Sequence, residues 1–413
     1  MTTKNKRQAL RQALLLGLFS MLGPFTIDMY LPAFPEIVKQ FDTTASGVQL
    51  SLTACLLGLG IGQLVMGPLS DVHGRRRPLL VSMTLYVAAS LGCALSPHIG
   101  LLIACRFVQG FAASAGIVIS RAITRDLYHG HELTRFFSLL LLVGNLGPLA
   151  APVAGSGVLS FSSWIGVFVV LSLLGTYLWT VTKWRLQETL PVERRSPANI
   201  RLQLRNYGAL LRDRHFVGYM LTQGIMIAGI FAYVSGTPFI YQNIYGASPT
   251  VFALLFGSNG ISLMIGSQIV GRAAHRVPER VFLLFGLCLA LASSVVVLAV
   301  ALFHGPLIAL VIPLFLFVAS IGMTSTAAFP LAMESQAHVA GSAAALLGVI
   351  QFLLGAVVSP LVGIAGENTA VPLGVIILST SIAAMLAYFL LVRKSSRAEP
   401  KATAYKEHKT ADC

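Results

Sequence analysis

The sequence predicts an all-α membrane protein of twelve transmembrane helices in two pseudo-symmetric six-helix bundles. Three observations carry that expectation. Of 413 residues, 55% are hydrophobic and 11% charged, with a mean hydropathy of +0.78, which a water-soluble domain of this size cannot present to solvent. Apolar stretches of about 20 residues, the length that crosses a bilayer, recur about a dozen times. The basic residues gather on alternate connections between these stretches.

Apolar runs set against charged or Gly/Pro-bearing breaks give spans at 13–35, 47–70, 79–97, 100–121, 135–158, 161–182, 215–236, 249–271, 280–303, 306–331, 340–365 and 370–392. All but two of the 29 Lys and Arg fall before the first span, at Arg75 to Arg77, at Arg121 to Arg135, between Lys183 and Arg214, at Arg272 to Arg280, or after Val392. The two exceptions are Lys39, on the opposite side, and Arg106, inside a span. By the positive-inside rule both termini and the central loop are cytoplasmic, which requires an even number of spans. The net charge of +14 is therefore a topology signal with a minor role at anionic lipid, and not a nucleic-acid footprint.

Taken in order, the basic N-terminus (Lys4, Lys6, Arg7, Arg11) leads into an apolar run with no small-residue cleavage pattern, so it reads as an uncleaved first helix. That span holds Asp28, about 15 residues and ~22 Å from its cytoplasmic end. An ionised carboxylate in hydrocarbon is costly, so the group must take a proton, find a cation or line a wet cavity. Arg106, in the fourth span and running the other way, lies ~21 Å from the cytoplasmic end, at the same depth. A direct or water-bridged pair offsets both desolvation costs and gives Asp28 a partner whose distance gates its proton; the alternative is a static pair that only fixes helix packing.

The second span ends in Gly67-Pro-Leu-Ser-Asp71-Val-His-Gly74-Arg75-Arg76. Gly67 permits close helix approach, Gly74 permits a turn, and Asp71 can accept from a helix N-terminus or from Arg75. Such contacts would lock one orientation of the two halves; otherwise the arginines are only a topology anchor. In the fifth span, Gly144-Asn145-Leu-Gly147-Pro148 with Pro152 and Gly155 predicts a kinked, tightly packed helix, for structural or functional reasons alike.

The polar segment from Lys183 to Arg214 divides the spans six and six. It gives an N-terminal bundle (1–182), a cytoplasmic linker (183–214), a C-terminal bundle (215–392) and a polar tail (393–413), with the site expected at the midplane between bundles. Gly271-Arg272-Ala-Ala-His-Arg276 after the eighth span is a faded copy of the Gly67 element that has lost its acid. Mid-depth polar residues Gln109, Asn145, Gln223, Asn259 and Gln351, with Tyr30, Met226, Phe231 and Tyr233 as walls, are the candidates for a substrate cavity. Any single one of them is more readily a helix-helix hydrogen bond or core packing than a ligand contact.

No nucleophile and base pair, metal-ligand spacing or phosphate-binding Gly-Lys loop is present, so neither enzyme, metal nor ATP chemistry is expected. Four of the five cysteines fall inside spans as small hydrophobes, without a disulfide framework.

These residues resemble a known family. Gly67-x-x-x-Asp71-x-x-Gly74-Arg75-Arg76 resembles the cytoplasmic signature of the major facilitator superfamily, and Arg106-x-x-Gln109-Gly110 its fourth-helix signature. Gly144-x-x-Gly147-Pro148 with Gly155 resembles the fifth-helix signature of drug:proton antiporters, with Gly155-Ser156-Gly157 in place of a Gly-Gly pair. Ile27-Asp28-Met29-Tyr30-Leu31-Pro32-Ala33 is similar to the first-helix motif of the bicyclomycin/chloramphenicol-resistance (Bcr/CflA) branch, which Glu188-Thr189-Leu190-Pro191, Glu193-Arg194-Arg195 and Ala340-Gly341-Ser342-Ala343 also fit.

The resemblance implies export of small antibiotics across a bacterial inner membrane in exchange for protons, by alternating access and without a cofactor. The partners would be the drug, protons and the lipid bilayer, with no nucleic acid, and the chain would act as a monomer. Asp28 would carry the proton, Arg106 would modulate it, and the fifth-helix motif would seal against leak. Some relatives carry a second acid where this chain has Ser20, which bears on stoichiometry. A proton symporter for a small organic solute, or a scaffold or sensor without flux, are the rival readings.

Overall fold

The structure, a computed structural model, describes residues 3–393 apart from 129–131, 134–135, 137–138, 141–142, 145, 196–199, 335 and 337–338. Among the described residues all regular structure is helical. The first crossing is α1 (Thr3–Asp28), a 3-10 turn at Leu31–Ala33 and α2 (Phe34–Gln40). It breaks where it does because Pro32 has no N–H to offer the Asp28 carbonyl four residues back. Asp28, expected in the middle of a helix, is therefore the last residue of one, where the partial negative charge of the helix end faces its carboxylate.

Four helices follow: α3 (Ala45–His73), α4 (Arg76–Ala94), α5 (Ile99–Leu127) and α6 (Gly147–Leu159). Side-chain caps open two of them, Thr44 Oγ1 accepting from Gly47 N–H at 3.1 Å and His98 Nδ1 from Leu101 N–H at 3.2 Å. After α7 (Trp164–Trp184) the central segment contains α8 (Ile200–Arg212), a helix the sequence reading did not anticipate. It buries Leu210, and Asp213 at its end caps the next helix by accepting from His215 N–H at 2.9 Å. The remaining crossings are α9 (Arg214–Phe239), α10 (Pro249–Ala273), α11 (Glu279–Leu302), α12 (Leu307–Met333), α13 (Ala340–Val358) and α14 (Val371–Ala387).

Eleven of these crossings are long and apolar enough to span a bilayer by themselves, and α6 is a shorter, 13-residue apolar helix within the fifth. Among the described residues the fold is all-α with twelve crossings, and large aliphatic and aromatic side chains such as Val81, Leu173, Phe285 and Ile308 stand exposed on its outer surface, where lipid would meet them.

Helices before the linker pack chiefly on one another (α3 on α5, α4 on α7, α1 on α5 and α6), as do those after it (α11 on α12 and α14, α10 on α12, α9 on α13 and α14). One contact repeats in both sets. A Cβ at Gly110 of α5 would strike the Cys55 carbonyl of α3, and a Cβ at Gly322 of α12 would strike the Leu263 carbonyl of α10.

The two sets meet along α3 with α13 and α6 with α10. Hydrogen bonds between them, among the described residues, gather at the end away from the basic loops. Gln49 Nε2 donates to the Ser235 carbonyl at 3.0 Å, Ser46 Oγ to Pro360 at 3.1 Å, Thr53 Oγ1 to Ala356 at 3.2 Å, and Gln242 Nε2 to Pro32 at 3.1 Å. Ser156 and Thr250 hydroxyls pair at 3.3 Å. The far end is latched; the basic end carries no such bond between described residues.

Candidate functional site

A cavity of about 400 Å³ lies between the two sets of helices, walled by α1, α5, α6, α9, α10, α12 and α13. The volume falls in the range of small-molecule sites. Its lining is mostly hydrocarbon, including Ile27, Ile117, Ile230, Leu263 and Phe352, with a few polar groups. Asp28 is one of them. It is 5% exposed, opens onto the cavity, and makes no hydrogen bond or ion pair with a described residue.

Asn259, Tyr233 and Phe231, read from the sequence as cavity candidates, also line it, as does Pro148 of the fifth-helix motif. Asn259 Nδ2 donates to the Tyr233 hydroxyl at 2.7 Å, and the Tyr233 ring stacks on Phe256 at 5.2 Å between centroids. Five other candidates do not reach the cavity. Tyr30 and Gln109 are spent on Arg106, Met226 is fully buried in packing, and Gln223 and Gln351 sit on α9 and α13 away from the lining. Asn145 lies outside the described residues. The sequence reading missed the aliphatic walls, such as Ile117, Val318 and Ile321, because an apolar residue in a membrane helix carries no mark of which face it occupies.

The direct Asp28 to Arg106 pair is not formed. Arg106 is fully buried, and its Nη1 donates to Gln109 Oε1 at 2.6 Å while the guanidinium lies 4.1 Å from the Tyr30 ring centroid and 5.7 Å from that of Phe168. Gln109 in turn donates to Ser90 Oγ at 2.8 Å, tying α5 to α4. Among the described residues the cation is contacted by one amide oxygen and two ring faces, its Nε and Nη2 remain without a hydrogen-bond partner, and Tyr30 beneath it lies two residues along from Asp28. Ser20, the position weighed for a second acid, pairs with Ser120 at 2.9 Å.

The fifth-helix motif packs on the acid-bearing helix. Gly144, Gly147 and Gly155 of this segment face Ser20, Pro24 and Met29 of the first crossing, and a Cβ at Gly155 would overlap the Met29 carbonyl. Pro152 is buried within α6. The spacing of the motif is thus a ridge of small residues laid along the backbone that holds Asp28.

The element at the end of α3 forms the expected Arg75 to Asp71 contact and turns at Gly74, but among the described residues it does not join the two halves. Arg75 donates to Asp71 and, at 2.8 Å, to Ser70 Oγ and to Asp126 of α5. Gly74, at φ +84°, makes the turn, and Glu188 caps α4 by accepting from Arg75 N–H at 2.8 Å and Arg76 N–H at 3.2 Å. The Arg76 side chain donates to the Lys183 carbonyl at 2.5 Å. Partial burial pushes the Glu188 carboxyl up, but the N–H groups of Arg75, Leu190 and Arg76 and the charge of Arg195 together hold it below its ordinary range. All these partners precede α8, so the network braces the first half internally instead of locking the halves together. Gly67 is not a close-approach point, since a Cβ there would meet Val118 only at 3.5 Å.

Comparison with known proteins agrees with this geometry. The family model described as Major Facilitator Superfamily matches residues 15–360. The chain belongs to the major facilitator superfamily. It is 50% identical over 390 residues, 94% of this chain and 97% of the relative, to a Bacillus subtilis protein named "Uncharacterized MFS-type transporter YdgK". It is 31% identical over 382 residues, 92% of this chain and 96% of the relative, to the "Bicyclomycin resistance protein homolog" of Haemophilus influenzae. Among solved structures, a bacterial homolog of the human lysosomal transporter Spinster, in an inward-facing and unoccupied conformation, superposes with a TM-score of 0.72 at 13% identity, covering 96% of this chain and 99% of the other. Within the superfamily the chain groups with the Bcr/CflA-type drug transporters, and it is a multi-pass membrane transporter of small molecules, not an enzyme.

Proposed function

We propose that this transporter exports small antibiotics of the bicyclomycin and chloramphenicol kind from a bacterial cytoplasm in exchange for protons. The observation that carries the reading is Asp28: a buried carboxylate, without a partner among the described residues, on the wall of a drug-sized cavity between the halves. What further supports it is the relatives named for bicyclomycin and chloramphenicol resistance.

Two bundles, 1–182 and 215–392, rock about the cavity, with 183–214 and both termini on the cytoplasmic side. In the latched-outside arrangement, drug enters from the basic end and displaces the proton from Asp28. Opening of the far end then releases drug and reloads Asp28 with a proton from outside. Exchange requires drug and proton to bind the two arrangements unequally, and a shared cavity makes their occupancies exclusive. Arg106 modulates Asp28 through Tyr30, and the α6 ridge on α1 closes the proton path. The proton gradient is the only energy source, no cofactor is required, and the unit is a monomer.

The test is counterflow in proteoliposomes. Under an imposed pH gradient, labelled chloramphenicol should move against the direction of proton flow and dissipate the gradient. Movement with the protons would make the protein a symporter, and no movement of chloramphenicol or bicyclomycin under any gradient would remove the reading.

A further inference from the structure

Two residues that line the cavity, Asn259 and Ser325, each hold a buried polar atom with no hydrogen-bond partner among the described residues. Asn259 is 2% exposed, and both hydrogens of its Nδ2 are used, one on the Leu255 carbonyl at 3.1 Å and one on the Tyr233 hydroxyl at 2.7 Å. A carbonyl can only accept, so the amide cannot be turned over without setting oxygen against oxygen. That leaves Asn259 Oδ1 as the free atom of the side chain, and no described group donates to it. Asp28 lines the same cavity from the other half, and no described group donates to it either. Around both, the walls are hydrocarbon apart from Tyr233 and serines such as Ser325, whose Oγ is likewise buried without a partner.

An acceptor fixed in an apolar wall is satisfied by a ligand that brings an N–H or O–H, and is left stranded by an isostere that lacks one. We propose that Asn259 determines specificity: the cavity takes apolar molecules that carry at least one hydrogen-bond donor, and Asn259 Oδ1 accepts it. Asn259 sits on α10 and Asp28 on α1, so the cavity that takes such a ligand is lined from both halves of the molecule. The inference rests on the reading of this cavity as the drug site, and it adds the chemical class that the site selects.

The test uses a pair of probes of equal charge that differ in one donor: N-benzyl-N-methyloctylamine, protonated at neutral pH, and N-benzyl-N,N-dimethyloctylammonium, which has no N–H. Binding of each to the purified protein is measured alongside proton release by chloramphenicol. The protonated tertiary amine should bind the parent about tenfold more tightly than the quaternary ion. Asn259→Leu should bind the two alike, while Asn259→Asp, which keeps an acceptor, should retain the preference; melting temperatures establish that both variants fold. Equal binding of the pair by the parent, or a preference that survives Asn259→Leu, overturns the inference. If chloramphenicol still releases protons in that case, the antiport reading stands without it. Failure of both amines to bind while chloramphenicol releases protons also overturns the inference alone, and failure of all three compounds overturns both.

Discussion

The guanidinium of Arg106 stands 4.1 Å from the ring centroid of Tyr30, and Tyr30 follows Asp28 by two residues. The buried cation is thereby held next to the acid-bearing turn without touching the acid. An arginine bound directly to Asp28 would hold it ionised, whereas one braced on a ring leaves the carboxylate without that ion pair. The ring is fixed in turn, since its hydroxyl pairs with Ser51 Oγ at 3.1 Å.

Tyr30→Phe keeps the ring face and is expected to transport at near the parental rate. Tyr30→Leu removes it, at a cost of about 2 kcal/mol for a desolvated cation-π contact, and should lower both the melting temperature and the transport rate. The check is a melt and a transport assay on the two variants together; equal loss in both would assign the effect to the hydroxyl.

The α6 ridge gives a second prediction. Gly155→Ala sets a methyl group against the Met29 carbonyl, a backbone atom that cannot swing away, so α6 must move off the first crossing. Overpacking of this kind costs about 1–3 kcal/mol. Gly157→Ala, where a Cβ meets nothing within 4 Å, is the control and should be neutral. A lower melting temperature and faster passive proton entry into liposomes for the first variant only would bear this out.

The latch predicts a change in access. Gln49→Leu removes the bond to the Ser235 carbonyl across the far end, so the far end should open more often. A cysteine placed at Ile230 on the cavity wall, in a chain freed of its other cysteines, should then react several-fold faster with an impermeant maleimide added outside cells. No change in rate would mean that the remaining bonds suffice.

Glu188 yields a pH prediction. Its folded-state pKa lies below the ordinary value of 4.5, so its cap on α4 contributes stability that is fully present above that value and lost as pH falls through the folded pKa. Glu188→Gln should therefore melt below the parent at neutral pH, and the gap should narrow as pH drops beneath 4.5. A gap that widens on acidification would reverse the sign.

Most of the crossings could be read from the sequence because hydrocarbon demands long apolar runs, and the resemblance pointed to the family through motifs that need few residues. Asp28 stood out because charge in a span is rare. What could not be read is which face each helix turns inward. Asp28 and Arg106 share a depth yet do not meet, since Gln109, one helical turn from Arg106, reaches it first. Tyr30 looked like a cavity wall and proves to be a platform for the cation. The break after Asp28 was written in Pro32, four residues on, but an apolar run hides it. The α8 helix was hidden for the opposite reason, inside a segment whose charges marked it only as a linker.

The central claim is that Asp28 carries the exchanged proton. The most direct measurement is proton release from purified protein in weakly buffered detergent on addition of chloramphenicol or bicyclomycin, comparing the parent with Asp28→Asn. The account predicts release by the parent and none by the variant, with both still binding drug. Release of equal size from both proteins would put the proton elsewhere and contradict it.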